Sequence, residues 1–309
     1  MKRVNVGGQA VIEGVMMKHE EKYAVAIRKP DKNIEVDQNE YKSLSKKIKI
    51  FKLPLLRGML AFVESMIIGV KTLTYSAEFY EGEEEIQPTR FDNFLEKVFG
   101  EKTESVLIGF SVVIAIFLGL GLFMVVPLLL TRLTKSFITN HTTQNLVEGV
   151  IRISMFLAYV TLISKMKDIK RVFQYHGAEH KTINCLEHEE ELNVENVKKH
   201  SRLHKRCGTS FLLIVMIISV AVFMFVKVDD IWIRLLSRIV LIPIIAGLSY
   251  EVIRFAGKSE NKVVNILSYP GMCLQRITTR EPDDSQLEVA IVAVKEVLGN
   301  EDNLTETIL

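Results

Sequence analysis

Ser105 to Thr131 carries no charged residue and contains the run FSVVIAIFLGLGLFMVVPLLL. As a helix rising 1.5 Å per residue it is about 40 Å long, enough to cross a hydrocarbon layer of roughly 30 Å with some tilt. Three further apolar stretches accompany it. Cys207 to Val226 is also free of charge (FLLIVMIISVAVFMFV), residues 146–164 carry Glu148 and Arg152 before ISMFLAYVTLIS, and residues 231–250 carry Arg234 and Arg238 before IVLIPIIAGLSY. A soluble helix hairpin is the competing reading for the two charged stretches. Each follows a strong span after a short connection, however, which calls for a return pass. The expected fold is mainly α, a polytopic membrane bundle of about four transmembrane helices. A small N-terminal β-containing segment and a C-terminal helix flank it, both cytoplasmic.

Composition agrees with this division. Of 309 residues, 48% are hydrophobic and 25% charged, the mean hydropathy is +0.21, and the net charge is only +2. Disorder is excluded, because it needs low hydrophobicity and high net charge. Near-neutrality also argues against a nucleic-acid binder that works by neutralising phosphates. Residues 105–164 and 207–253 hold only ten Asp, Glu, Lys or Arg, so the charge is segregated outside the apolar blocks. Residues 165–206 carry ten Lys or Arg, whereas the connections at 132–147 and 227–230 carry three. The positive-inside bias therefore places 165–206 in the cytoplasm, and with four spans both termini as well. Trp232 then falls at the outer interface. Lys2 and Arg3 precede a partly apolar stretch, but Glu13 interrupts it and no small-x-small site follows, so no cleaved signal is expected. Cys185, Cys207 and Cys273 are too few and odd in number for a disulfide framework and are expected as free thiols.

These boundaries divide the chain into six parts: 1–50, an N-terminal β-rich segment; 51–104, an amphipathic helix and acidic linker; 105–164, a first transmembrane pair; 165–206, a cytoplasmic His/Glu/Cys loop; 207–253, a second pair; and 254–309, a C-terminal segment. Within the first, AVIEGVMM, KYAVAIRK and IEVD read as strands, with a turn at Pro30-Asp31-Lys32-Asn33. Gly7-Gly8-Gln9 reads as a tight turn whose backbone can come close to a ligand. Residues 53–79 read as a helix with a narrow charged stripe of Arg57, Glu64, Lys71 and Glu78. Such a helix suits the membrane interface, packing against the bundle, or a fifth, partly buried span. EGEEE at 81–85 reads as a solvated acidic turn. Ser285-x-x-Glu288 reads as a capping box opening a helix that buries Leu287, Ile291, Val294 and Leu298 and stops at Gly299.

The chemistry is concentrated in YHGAEHKTINCLE, residues 175–187. His176 and His180, at i and i+4, project from one helical face, which is the spacing two imidazoles need to share an ion. Glu179 completes H-x-x-E-H, the inverted zincin pattern, with a carboxylate able to activate water. Glu187 follows His180 by seven residues, on the same face if the helix continues that far. In HSRLHKRC, His200, His204 and Cys207 fall at i, i+4 and i+7, again on one helical face. Five of the seven histidines fall within 176–204. Imidazole with carboxylate or thiolate favours zinc, with ferrous iron as the alternative. A di-iron membrane enzyme of the desaturase kind needs a larger histidine set. The plainer reading of these histidines is contact with lipid headgroups, and His188 and His200 are the first candidates for simple solvation. Glu148, Arg152, Arg234, Arg238 and Glu251 read as polar-network residues near span ends. Snorkelling is the expected role of the arginines, and Glu251 is a further candidate ligand.

GGQAVIEGVMM at 7–17, YHGAEHK at 175–181, HKRCGTSF at 204–211 and TTREPDDSQLEVAI at 278–291 together resemble the YqhQ family of bacterial inner-membrane proteins. The resemblance runs in order over nearly the whole chain, with Lys205 standing where many relatives have Pro. It implies a multi-pass membrane protein described as a predicted metal-dependent enzyme, with His176, Glu179, His180, His204 and Cys207 as its site. Two functions follow as expectations. One is a metal-dependent hydrolase of the inner membrane with a cytoplasm-facing site. In it His176, His180, His204, Cys207 and Glu187 are the candidate ligands of a divalent ion, and Glu179 is the catalytic base. The other is a non-catalytic membrane scaffold or transport component whose metal is structural or missing. The lipid bilayer is a partner expected of either, and in the second the cytoplasmic flanks dock further partners whose identity the sequence does not give.

Overall fold

A computed structural model describes residues 5–80, 100, 103–134, 136–258 and 262–299. The acidic stretch 81–85 lies outside them. The chain is mainly helical with one small N-terminal sheet. Four strands, β1 (Val6–Val11), β2 (Gly14–His19), β3 (Lys22–Arg28) and β4 (Ile34–Glu40), form an antiparallel meander. Helices follow as α1 (Leu44–Lys47), α2 (Leu56–Glu78) and α3 (Thr103–Leu120), the last running through a wider turn at Gly121–Val125 into α4 (Val126–Leu133). Next come α5 (His141–Ile163), α6 (Lys167–Glu187), α7 (Val194–Lys199), α8 (Gly208–Phe223), α9 (Ile231–Lys258), α10 (Lys262–Thr278) and α11 (Asp284–Leu298). By contact the chain forms two units. One comprises Met1–Tyr80, Ala158–Ile218 and Ile242–Leu309, and the other Glu81–Leu157 and Ser219–Leu241.

In the first unit the sheet is covered on both faces. Side chains alternate along a strand, so Val15, Met17, Ala24 and Ala26 point to one face, where they pack with Tyr175, Ala178 and Ile183 of α6 and Leu287, Ala290 and Val294 of α11. Met16, Tyr23, Val25 and Ile27 point to the other, where Ile68 of α2 joins them. The stretch AVIEGVMM is two strands rather than one: Val11 pairs with Gly14 around Ile12-Glu13, with Glu13 at φ 49°. That conformation aims the Glu13 carboxylate at α6, where Arg171 grips it with two nitrogens and Tyr175 donates its hydroxyl at 3.3 Å. Gly7-Gly8-Gln9 is strand β1, not a turn. The cap of α11 lies two residues earlier than expected. Asp283 Oδ1 accepts from the Gln286 N–H at 3.0 Å and Gln286 Oε1 from the Asp283 N–H at 3.0 Å, while Glu288 pairs with Arg28 at 2.7 Å.

Three members of the charged stripe on α2 are engaged. Arg57 binds Glu251, with Nε to Oε1 at 2.6 Å, so Glu251 is a salt-bridge partner and not a ligand. Glu64 accepts from Ser43 Oγ and the Leu44 N–H, and Lys71 donates to the Tyr23 hydroxyl at 3.2 Å. Val63, Met66, Ile67, Val70 and Leu73 are left exposed on the same helix. The usual amphipathic arrangement is inverted here, with polar groups facing protein and an apolar strip facing out.

Val106–Leu133, His141–Ile163 and Ile231–Phe255 are long and apolar enough to cross a membrane by length and composition. The fourth expected span, 207–226, forms only the 16-residue helix α8, short of the roughly 20 residues a full crossing takes. The arginines of the second unit do not snorkel. Glu148 Oε1 meets Arg152 at 2.6 Å, and Glu148 Oε2 meets Arg234 at 3.0 Å and Arg238 at 3.1 Å. Asn145 Oδ1 accepts from Arg234 at 2.6 Å and from Arg238 at 2.8 Å. Snorkelling requires a path to water. Arg238 has none, with 1% of its side chain exposed and its guanidinium 3.8 Å from the centre of the Phe223 ring.

Candidate metal centre

Helix α6 is buried at Tyr175 and from Gly177 to Glu187, with His176 half-buried between them, so its chemistry is held inside the first unit rather than on a solvated loop. His176 and His180 lie on one face, with ring centres 4.4 Å apart. Each ring is fixed through Nδ1. His176 Nδ1 donates to the Thr278 carbonyl at 2.8 Å, and His180 Nδ1 to the Arg202 carbonyl at 2.6 Å. With Nδ1 protonated, Nε2 of each ring carries the free lone pair, the orientation that carbonyl partners give to metal-binding histidines. His180 Nε2 is buried with no hydrogen-bond partner, and the Cys207 thiol donates to His176 Nε2 at 3.2 Å. One nitrogen of each ring and Cys207 Sγ lie within 4.8 Å of one another.

Glu179 faces the same point. Its Oε2 is 3.8 Å from His176 Nε2 and 3.9 Å from His180 Nε2, and its carboxylate accepts the Gly8 N–H of β1. Burial pushes this carboxyl above the usual range, while His176 and the Gly8 N–H pull it back. Burial also holds His180 well below the ordinary imidazole value, with His176 adding to the effect, and brings His204 down to about 4. The His180 ring is therefore neutral near pH 7, as ligation requires.

The remaining candidates are placed elsewhere. Residues 200–207 are not helical, so His204 and Cys207 do not share a face. His204 Nε2 meets Glu187 Oε2 at 3.3 Å, and Glu187 is also held by Arg206. Its ring lies beside that of His180, 5.8 Å between centres, so His204 borders the centre through a pair of its own. Glu187 does continue the face of α6, but two helical turns put about 10 Å between it and His180, too far for one ion. The chain between α7 and α8 is pinned by Gln275 of α10, fully buried, which accepts the His204 N–H at 2.8 Å and donates to its carbonyl at 2.7 Å and to Ser210 Oγ at 2.9 Å. That turn presents Cys207 to α6.

The backbone partners Thr278 and Arg202 have no side-chain signature. Gly8 belongs to the Gly7-Gly8-Gln9 stretch, whose backbone is expected to come close to a ligand, and it approaches the centre at Glu179 from a strand and not from a turn. Gly177 could have been noticed inside the H-x-x-E-H string. A Cβ there would lie 2.0 Å from the Arg280 carbonyl oxygen, whose residue donates its N–H to Phe173 O at 2.7 Å. Glycine lets segment 278–282 lie flat on α6 and bring the Thr278 carbonyl to His176. Gly177→Ala is expected to lower the stability of the folded protein by about 3 kcal/mol, the upper end of overpacking costs, because backbone and not a flexible side chain has to move. A loss under 1 kcal/mol in denaturant titration of the detergent-solubilised protein contradicts this account. A cleft of about 440 Å³ opens next to the centre, walled by Gly7, Gly8 and Gln9 of β1, Ser65 and Ile68 of α2, and Arg206.

The donor set fits a borderline-soft divalent ion: two imidazole nitrogens and one thiol that becomes thiolate on binding, with both rings pre-oriented. An uncharacterized Bacillus subtilis (strain 168) protein, YqhQ, is 37% identical over 295 residues, which cover 94% of this chain and 92% of that protein. No solved structure matches the chain. A family described as "Protein of unknown function (DUF1385)" matches residues 53–300. The chain belongs to that family, and the segments that build the histidine–cysteine cluster of α6 and the turn before α8 lie within the matched region.

Proposed function

We propose that this chain is an integral membrane metal-dependent hydrolase whose zinc-type ion is held by His176, His180 and Cys207, with Glu179 as the general base. The observation that supports this most is the convergence of three donor atoms whose two rings are already turned and protonated for binding. Zinc, when bound, supplies the Lewis acidity that lets water act as a nucleophile near neutral pH. Glu179 Oε2 then takes the proton of the attacking water and returns it to the leaving group. Its raised affinity for protons brings the carboxyl closer to the working pH, as such a shuttle requires. The Gly8 N–H keeps the carboxylate from swinging away. Substrate enters along the cleft beside Gly8, whose lining includes Lys18 and Glu20, with Arg206 already paired to Glu187.

The three long apolar helices are read as spans, and α8 with the apolar residues 224–226 after it as a fourth, shorter pass. Residues 165–206 then face the cytoplasm, as their ten basic residues favour. The outward apolar strip of α2 suits the membrane interface, which brings the cleft near lipid and makes a membrane peptide or a lipid-linked group the natural substrate.

Glu179→Gln tests the catalytic role. The variant is expected to keep its metal while losing the protein's function in a host that lacks its own copy, by the factor of about 10²–10⁴ typical of a missing base. Full complementation with metal retained removes Glu179 as the base and favours a structural ion in a scaffold.

A further inference from the structure

The end of α6 carries a second cluster that the proposed reaction does not use. Cys185 Sγ, Glu190 and His200 Nε2 each offer one donor atom, and the three atoms lie within 4.8 Å of one another. Cys185 is fully buried in the last turn of α6, and His200 follows α7, with 10% of its side chain exposed. His200 Nε2 approaches Glu190 Oε2 at 3.3 Å, yet this buried nitrogen has no hydrogen-bond partner. His188, the cap of α6, stacks its ring 4.8 Å from that of His200. Its Nδ1 is engaged by the Asn184 carbonyl at 2.7 Å, so Nε2 is its free lone pair. Ring orientation by a backbone carbonyl is the same device seen at His176 and His180.

The Cys185 thiol points at the Glu190 and Glu191 carbonyls, at 3.9 and 3.7 Å, and the Glu190 N–H returns to the Cys185 carbonyl at 3.3 Å, which holds the turn but does not call for an imidazole. A thiol buried in a core needs no imidazole beside it, and a surface ion pair needs no buried thiol. We propose that Cys185, Glu190 and His200, with His188 as the fourth donor, form a second site for a zinc-type divalent ion, one that clamps the loop between α6 and α7. Thiolate, imidazole and carboxylate are the ligand types of zinc, and four protein donors make a closed, structural site. Ligands around tetrahedral zinc sit about 3.5 Å apart, so the present spacing has to contract by roughly 1 Å. The Glu190 side chain is 43% exposed, and Glu189 before it has φ 59°, so the contraction falls on a surface loop and not on the core.

The site is independent of the centre at His176 and His180, and the test keeps the two apart. Full-length protein in detergent is loaded with zinc, desalted and assayed for bound metal per chain. Wild type is expected to hold two equivalents, the His176→Ala/His180→Ala variant one, and the Glu190→Gln/His200→Asn variant one. Cys185→Ser should match the last, but because Cys185 is core the surface pair keeps the test valid if that variant fails to fold. The proposal is overturned if Glu190→Gln/His200→Asn holds as much zinc as wild type, or if folded His176→Ala/His180→Ala holds none. A wild type that holds one equivalent, lost in Glu190→Gln/His200→Asn but kept in His176→Ala/His180→Ala, upholds this site and removes the other.

Discussion

His176→Ala or His180→Ala should weaken zinc binding at the α6 centre by about two to three decades and abolish the thermal stabilisation that zinc gives the wild-type protein. Structural zinc in small domains binds with about 10–16 kcal/mol. Divided over four positions, each ligand accounts for roughly 3–4 kcal/mol, and every 1.4 kcal/mol is tenfold. Free zinc at a thousand times its dissociation constant stabilises the fold by about 4 kcal/mol, so the shift is large enough to read in a melting curve. Removing His180 also leaves the Arg202 carbonyl without its donor and a small void in a fully buried place. The variants should therefore melt below wild type even in chelator. The informative quantity is the zinc-dependent increment of each protein, not its absolute midpoint. An increment in His180→Ala equal to that of wild type contradicts the assignment, whatever the midpoints are. His204→Ala is the internal contrast. It breaks the pair with Glu187 but removes none of the three convergent donors, so most of the zinc increment should survive.

The parts of this centre that were legible in the sequence are those fixed by local geometry. H-x-x-E-H puts two imidazoles and a carboxylate on one side of any helix, whatever surrounds it. Long uncharged runs announce helices suited to a membrane because that property needs only composition and length. The misread parts depended on chain that returns from far away. HSRLHKRC has helical spacing on paper, but Gln275, 71 residues from His204, holds that stretch in an irregular turn, and only Cys207 reaches the centre. The partners that orient the rings are carbonyls of Arg202 and Thr278, which any residue type could supply. Gly8 belongs to a strand whose register, Gly8 opposite Met17, decides that its N–H meets Glu179. The charged stripe of α2 was visible, but its inward direction follows from what packs there: Ser43, Tyr23 and Glu251.

The largest loss of stability is expected in the second unit, from Glu148→Gln. Glu148 is the carboxylate facing Arg152, Arg234 and Arg238, whose side chains are 7%, 12% and 1% exposed. Guanidinium groups stay charged under all ordinary conditions, so neutralising Glu148 leaves three cations with no anionic partner among these contacts. Removing one partner of a buried ion pair costs about 3–5 kcal/mol, chiefly because the other charge is left uncompensated. Interhelical hydrogen bonds in membranes are worth much less, about 0.6 kcal/mol on average. The size of the effect therefore separates a charge clamp from an ordinary polar contact. The remaining contacts cannot substitute. Arg152 keeps Phe123 O at 2.9 Å and Ser219 Oγ at 3.3 Å, Arg238 keeps the Phe223 ring, and Asn145 Oδ1 is already shared by two arginines. Removing one cation as well should recover part of the loss, so Glu148→Gln/Arg238→Gln is expected to be more stable than the sum of its single variants by at least 1 kcal/mol. Were the arginines reaching water, each single variant would fall within 1 kcal/mol of wild type and the pair would be additive. Unfolding of the detergent-solubilised proteins measures both quantities, and additivity within error would sink the clamp.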